Sequence, residues 1–67
     1  MFSPIEREII KRLSKSDKEI GEELGFTVSS VKGRVHRIIN KLEVSTRTEA
    51  LIVALIDDVI KLEEVQK

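Results

Sequence analysis

Residues Ser16–Val44, SDKEIGEELGFTVSSVKGRVHRIINKLEV, decide the fold of this chain. Ser16-Asp17-Lys18-Glu19 opens a helix, because a serine hydroxyl accepts from the third amide while the glutamate reaches back to the serine's own N–H. Ile20 and Leu24 give that helix, Asp17–Leu24, one apolar side, and Gly25 supplies a left-handed stop. Thr27 then caps a second helix over 28–42, in which Val28, Val31, Val35, Ile38, Ile39 and Leu42 fall on one face. Between Leu24 and Leu42 there is no Asp or Glu, yet Lys32, Arg34, Arg37, Lys41 and the chain's one histidine, His36, all lie there. The chain as a whole has zero net charge, so its cations are concentrated. Two helices around a glycine turn, the second cationic and free of acid, form the pattern of a helix-turn-helix that faces a polyanion. Double-stranded DNA is the first candidate.

Working outward, Ser3-Pro4-Ile5-Glu6 and Thr46-Arg47-Thr48-Glu49 are two further capping boxes. They predict helices over 4–15, burying Ile5, Ile9, Ile10 and Leu13, and over 47–65. No stretch alternates as a strand does. The expected class is all-α: four helices at 4–15, 17–24, 28–42 and 47–65 in a single domain, 1–67.

Composition narrows the chemistry. Chains this short bury roughly 60% of their unfolded surface, so the core is small. There is no cysteine, which removes disulfides and thiolate metal sites, and one histidine does not build a zinc site. No metal or cofactor is expected. The longest apolar run, Ala50 to Ile56, is far below the ~20 residues that cross a bilayer. Nor does the amino end have the layout of a secretion signal; a cytoplasmic protein without membrane contact is expected. Aromatic residues are 3% of the chain, only Phe2 and Phe26, which leaves little for stacking on single-stranded bases. An enzyme is not expected either, since Cys, Tyr and Trp are absent and no glycine-rich phosphate loop occurs.

Placing the apolar stripe of 28–42 inward leaves Ser29, Gly33, His36, Arg37 and Asn40 outward, with Lys32 and Lys41 on the shoulders. Lys32 is placed to donate to guanine O6 or N7 and His36 to reach the neighbouring step, while Gly33 lets backbone approach the groove floor. Arg37 and Lys41 suit phosphate, as do Thr27, Ser29 and Ser30 at the helix amino end. The plainer readings are a merely solvated basic face, an ordinary surface histidine, and a Gly33 that relieves packing against another helix.

These pieces together resemble the LuxR/FixJ-type (GerE-like) DNA-binding domain of bacterial transcription regulators. The matching stretches are FSPIEREII (2–10), DKEIGEELGFT (17–27), SVKGRVHRIINKLEV (30–44) and STRTEALIVAL (45–55), in order and across nearly the whole chain. The resemblance implies a four-helix domain whose third helix reads the major groove through Lys32, Gly33 and His36. It places Lys18, Thr27, Ser30, Arg37, Lys41, Thr46 and Arg47 against phosphate. It implies contact with RNA polymerase as a further partner. Three departures stand out: a turn around Lys15-Ser16 two residues shorter than usual, Gly21 where alanine is usual, and Arg34 where histidine is common. SVKGRVHRI is also similar to the reading helix of sigma-factor region 4, although KLEVSTRTEAL is not. Met1 directly before the first cap favours a stand-alone regulator over an excised domain.

The fourth helix has two apolar stripes. Ile52, Leu55, Val59 and Leu62 follow a spacing that suits pairing with another helix, and Ile56 adjoins them. A homodimer through these five residues, reading an inverted repeat, is the expectation; a helix that curls over its own core is the alternative. A second class of function is a protein-interaction module, such as an anti-activator or phage-type inhibitor, that keeps the helix-turn-helix as scaffold.

Overall fold

The computed structural model describes residues 1–66. Its helices are α1 (Pro4–Ile10), α2 (Asp17–Leu24), α3 (Val28–Leu42) and α4 (Arg47–Ile56), followed by a 3₁₀ turn at Leu62–Glu64. Among the described residues there is no strand, so the chain is all-α as expected. Caps set the helix starts. The Ser3 and Ser16 hydroxyls accept from the N–H groups of Glu6 and Glu19 at 3.1 Å, and each glutamate accepts from its serine's amide. At Thr46 only half the box forms, because the hydroxyl accepts from the Glu49 N–H and donates to the Glu49 carboxylate.

Left-handed residues set three of the ends: Gly25 (φ 79°), Glu43 (φ 57°) and Asp58 (φ 57°). Behind α4, the Val59 N–H returns to the Ala54 carbonyl at 2.8 Å and the Asp58 N–H to Leu55 at 3.3 Å, a paired closure that stops a helix. The expected helix to residue 65 therefore ends at Ile56. Asp57-Asp58 is the cause: aspartate is a poor helix former that tolerates the left-handed region. Beyond it the chain folds back. Ile60 is buried, Val65 packs on the core, and the Gln66 N–H donates to the Lys11 carbonyl while its own carbonyl accepts from the Ser14 hydroxyl. The same strap meets α1, which ends at Ile10 and not at 15. Residues 11–15 are turns in which the Arg12 and Leu13 N–H groups return only three residues, to Ile9 and Ile10.

The buried core is Ile9, Ile10, Leu13, Ile20, Val31, Val35, Ile38, Ala50, Ala54 and Ile60. Its centre is α3, which packs against each of the other three helices. The inward face of α4 is Ala50 and Ala54, one turn apart and fully buried, so α4 lies close and turns Ile52 and Ile56 outward. Ile5 and Val28, expected inward, lie in first helical turns and are about two-fifths exposed, 40% and 42%. Gly21 shows what its position needs. A Cβ there would lie 2.5 Å from the Phe26 carbonyl oxygen, because the Gly25 and Phe26 N–H groups both close onto the Gly21 carbonyl. An alanine requires this turn to shift. Among the described residues no helix is long and apolar enough to cross a membrane.

Candidate nucleic-acid interface

Burial of Val31, Val35 and Ile38 fixes the rotation of α3 and leaves Ser29, Lys32, Gly33, His36, Arg37, Asn40 and Lys41 exposed on its outer face. Outside its own helix turn, no atom of the described residues lies within 4 Å of a Cβ built on Gly33, so this glycine relieves no packing against another helix there. Among the described residues none covers Lys32, His36 or Arg37, all three of which are exposed.

Two grooves flank the helix. On one side, a groove of about 480 Å³ has Lys32 and His36 on one wall and Ser45 and Thr46 on the other, with Asp17 at its edge. Lys18, in the first turn of α2, is exposed. On the other side, Arg34, Arg37 and Lys41 face Ser3 and Glu6 across about 220 Å³. Thr27 caps α3 by accepting from the Ser30 N–H at 3.1 Å, and Ser29 stands exposed beside it.

Charge is sorted between the faces. Lys11 pairs with Glu8 and Glu64, Arg12 with Glu8 and Glu23, and Lys15 with Glu23, at 2.6–3.5 Å. The Lys11 ammonium and then the Arg12 guanidinium hold the Glu8 carboxyl below its ordinary range, and Lys15 with Arg12 do the same to Glu23. Among the described residues Lys18, Lys32, Arg34 and Arg37 have no carboxylate within 4.0 Å. A neutral chain thus carries on α3 positive charge that no acid of the same helix offsets, whereas Lys18 stands among the four acids of α2.

Two of the expected phosphate ligands are engaged inside the chain. Arg47 donates from Nε to the Leu13 carbonyl (3.0 Å), from Nη2 to the Lys15 carbonyl (2.9 Å) and from Nη1 to Asp17 (2.8 Å). It holds the shortened turn between α1 and α2. Lys41 donates to both Glu6 oxygens (3.1 and 3.2 Å) and to the Met1 carbonyl (3.1 Å), above the Phe2 ring. Arg34, expected only as one of the cations of 28–42, has its guanidinium 4.5 Å over the Phe26 ring, with Nε on the Ser30 hydroxyl. The signal was an aromatic just before the cap with Ser30 and Arg34 one turn apart.

Of the residues expected to pair copies of the chain, Ile52, Ile56 and Leu62 are 50%, 73% and 73% exposed. Leu55 and Val59 are half-buried against the core. The end of α4 at Ile56 places Val59 and Leu62 outside the helix, so the expected pairing seam is not continuous.

Over 40 residues the chain is 50% identical to the transcriptional regulatory protein LiaR of Bacillus subtilis (strain 168), a stretch that covers 60% of this chain. The chain spans about a fifth, 19%, of that relative's length. No family model matches the chain, and neither does any solved structure.

Proposed function

We propose that this chain is a sequence-specific, double-stranded DNA-binding transcription regulator of the LuxR/FixJ type, acting in the cytoplasm. One observation carries the reading: α3 presents Lys32, His36 and Arg37 uncovered, with neither lysine nor arginine paired to a carboxylate. The likeness to a transcriptional regulatory protein supports it. In this reading α3 lies in the major groove, Lys32 and His36 meet base edges, and backbone at Gly33 approaches the groove floor. Lys18, Thr27, Ser29, Ser30, Arg37 and Thr46 serve the phosphates. Arg47 and Lys41 act indirectly, the first by fixing the turn that starts α2 and the second by neutralising Glu6.

A homodimer through Ile52 and Ile56 completes the reading, since the two stand one turn apart on α4, half and about three-quarters exposed. Two reading helices about 34 Å apart suit an inverted repeat. The same apolar face also suits another protein, which is the second reading: an interaction module that keeps the fold and not the DNA.

Selection of duplexes from a random pool, with mass measured by light scattering, tests both readings. A recovered inverted repeat and a doubled mass are expected. Lys32→Ala is expected to flatten the selected motif, at a loss of about 1–3 kcal/mol of base discrimination. No retention of any duplex at low salt overturns the regulator and leaves the interaction module.

A further inference from the structure

Arg34 is held in place without a carboxylate, unlike Arg12 and Arg47. Arg12 and Arg47 are oriented by carboxylates, which fix them and cancel their charge together. Arg34 is oriented by a ring face and a hydroxyl: the Phe26 ring at 4.5 Å and the Ser30 Oγ at 3.4 Å from Nε. Neither partner removes charge. The ring lies against the guanidinium carbon, and among the described residues neither Nη has a hydrogen-bond partner, so both are left to donate to phosphate oxygens. Because the side chain is held in place before a ligand arrives, less rotamer freedom is lost on binding.

The groove around it has the right sign. Arg34, Arg37 and Lys41 line it with Ser3 and a single acid, Glu6. Lys41 sits on that carboxylate and neutralises it, so the charge left over belongs to Arg34 and Arg37. This groove lies on the flank of α3 opposite the one lined by Lys32, His36 and Thr46. A helix in a major groove has a phosphate strand along each side.

We infer that the Arg34–Arg37 groove is a phosphodiester site for the second of those strands, with Phe26 and Ser30 as the positioning residues that aim Arg34. The inference rests on the DNA-binding reading above and assigns a site to a residue that reading leaves out. Its ligand is a backbone phosphate, so it contributes affinity independent of base sequence.

The test measures binding of the full chain to a random-sequence duplex across a salt series. Loss of one phosphate contact per bound chain lowers the log–log salt slope by about 0.9 and the affinity by about 8-fold at roughly 0.1 M salt for each chain in the complex. Arg34→Gln is expected to show both. Arg34→Lys keeps the charge but not the fork or the stack, and is expected to keep most of the slope and lose about 3-fold in affinity. Phe26→Leu is expected to weaken binding about 3-fold in the parent chain and not at all in an Arg34→Gln background, a dependence that a purely structural ring does not give. Arg34→Gln is a surface change, so the result does not hinge on whether Phe26→Leu folds. A slope and affinity unchanged by Arg34→Gln, in a parent chain that binds, overturn this site and leave the regulator reading intact. A parent chain that binds no duplex at low salt overturns both.

Discussion

A methyl group added at position 33 meets no heavy atom of the described residues within 4 Å outside its own helix turn, and alanine in an exposed helix interior is about 1 kcal/mol more favourable than glycine. Gly33→Ala is therefore expected to raise the unfolding free energy by about 0.5–1 kcal/mol in urea titration. In the proposed complex the same methyl enters the narrow space between α3 and the base edges, and duplex affinity measured by fluorescence anisotropy is expected to fall. A variant that gains stability and keeps its affinity shows that the helix does not lie against the groove floor at that point. Arg47 behaves in the opposite way. Arg47→Ala orphans two turn carbonyls and Asp17, so it is expected to lower stability by about 1–3 kcal/mol. Arg47→Lys is expected not to restore it, since one ammonium does not replace a fork reaching three acceptors. An undiminished unfolding midpoint in Arg47→Ala, with weakened DNA binding, returns this residue to the phosphates. The outward aim of Lys32 and His36 was legible because the apolar period over 28–42 is unbroken. That of Arg47 was not: carbonyls more than thirty residues earlier in the chain leave no mark in local spacing.

At the scale of the helices, all four starts were legible, as were the ends of α2 and α3, but not those of α1 and α4. A start is written in side chains, as Ser3, Ser16, Thr27 and Thr46 each accept from an amide three residues on. An end depends on which residue takes a left-handed backbone, and at α4 apolar periodicity runs through it unaltered. Val59, Ile60 and Leu62 continue the helical pattern of α4 in sequence, although Asp58 has already turned the chain. Gly25 announces its end and α3 stops at Leu42 where its apolar stripe stops, whereas nothing at Asp58 interrupts the apolar period. A left-handed backbone costs an L-residue about 1–2 kcal/mol, less for aspartate, and glycine returns part of that gain as unfolded-chain entropy. Glu43→Gly is accordingly expected to stabilise the chain by about 0.5–1 kcal/mol and Asp58→Gly by less. Thermal unfolding of the two variants checks the order, and destabilisation by both is incompatible with these helix ends.

Across the whole molecule, the ion pairs that join Glu8, Glu23 and Glu64 to Lys11, Arg12 and Lys15 also make the fold depend on pH. Glu8 and Glu23 are held below the ordinary glutamate range by Lys11 with Arg12 and by Lys15 with Arg12, respectively. Glu6 is held down first by the Ser3 amide and then by Lys41, and Glu64 by the Lys61 amide and then by Lys11. A carboxyl whose folded value is depressed binds protons more weakly when folded than when unfolded. Its stabilisation is present above the ordinary value near 4.3 and is lost as pH falls through the lower folded value. Four such groups act in the same direction, so the unfolding temperature is expected to hold from about pH 7 to pH 5 and fall between about pH 4.5 and pH 3. Glu8→Gln with Glu23→Gln is expected to lower stability at neutral pH and to flatten the acid limb in part, because two of the four groups that titrate there are gone. Lys11 and Arg12 are raised by the same partners, and their contribution is lost only at strongly alkaline pH. Exposed pairs are screened by salt, so added salt is expected to flatten the acid limb as well. An acid limb identical in the parent chain and in the double variant shows that these pairs do not tie down α1, and that the separation of charge seen across the molecule serves only its cationic face.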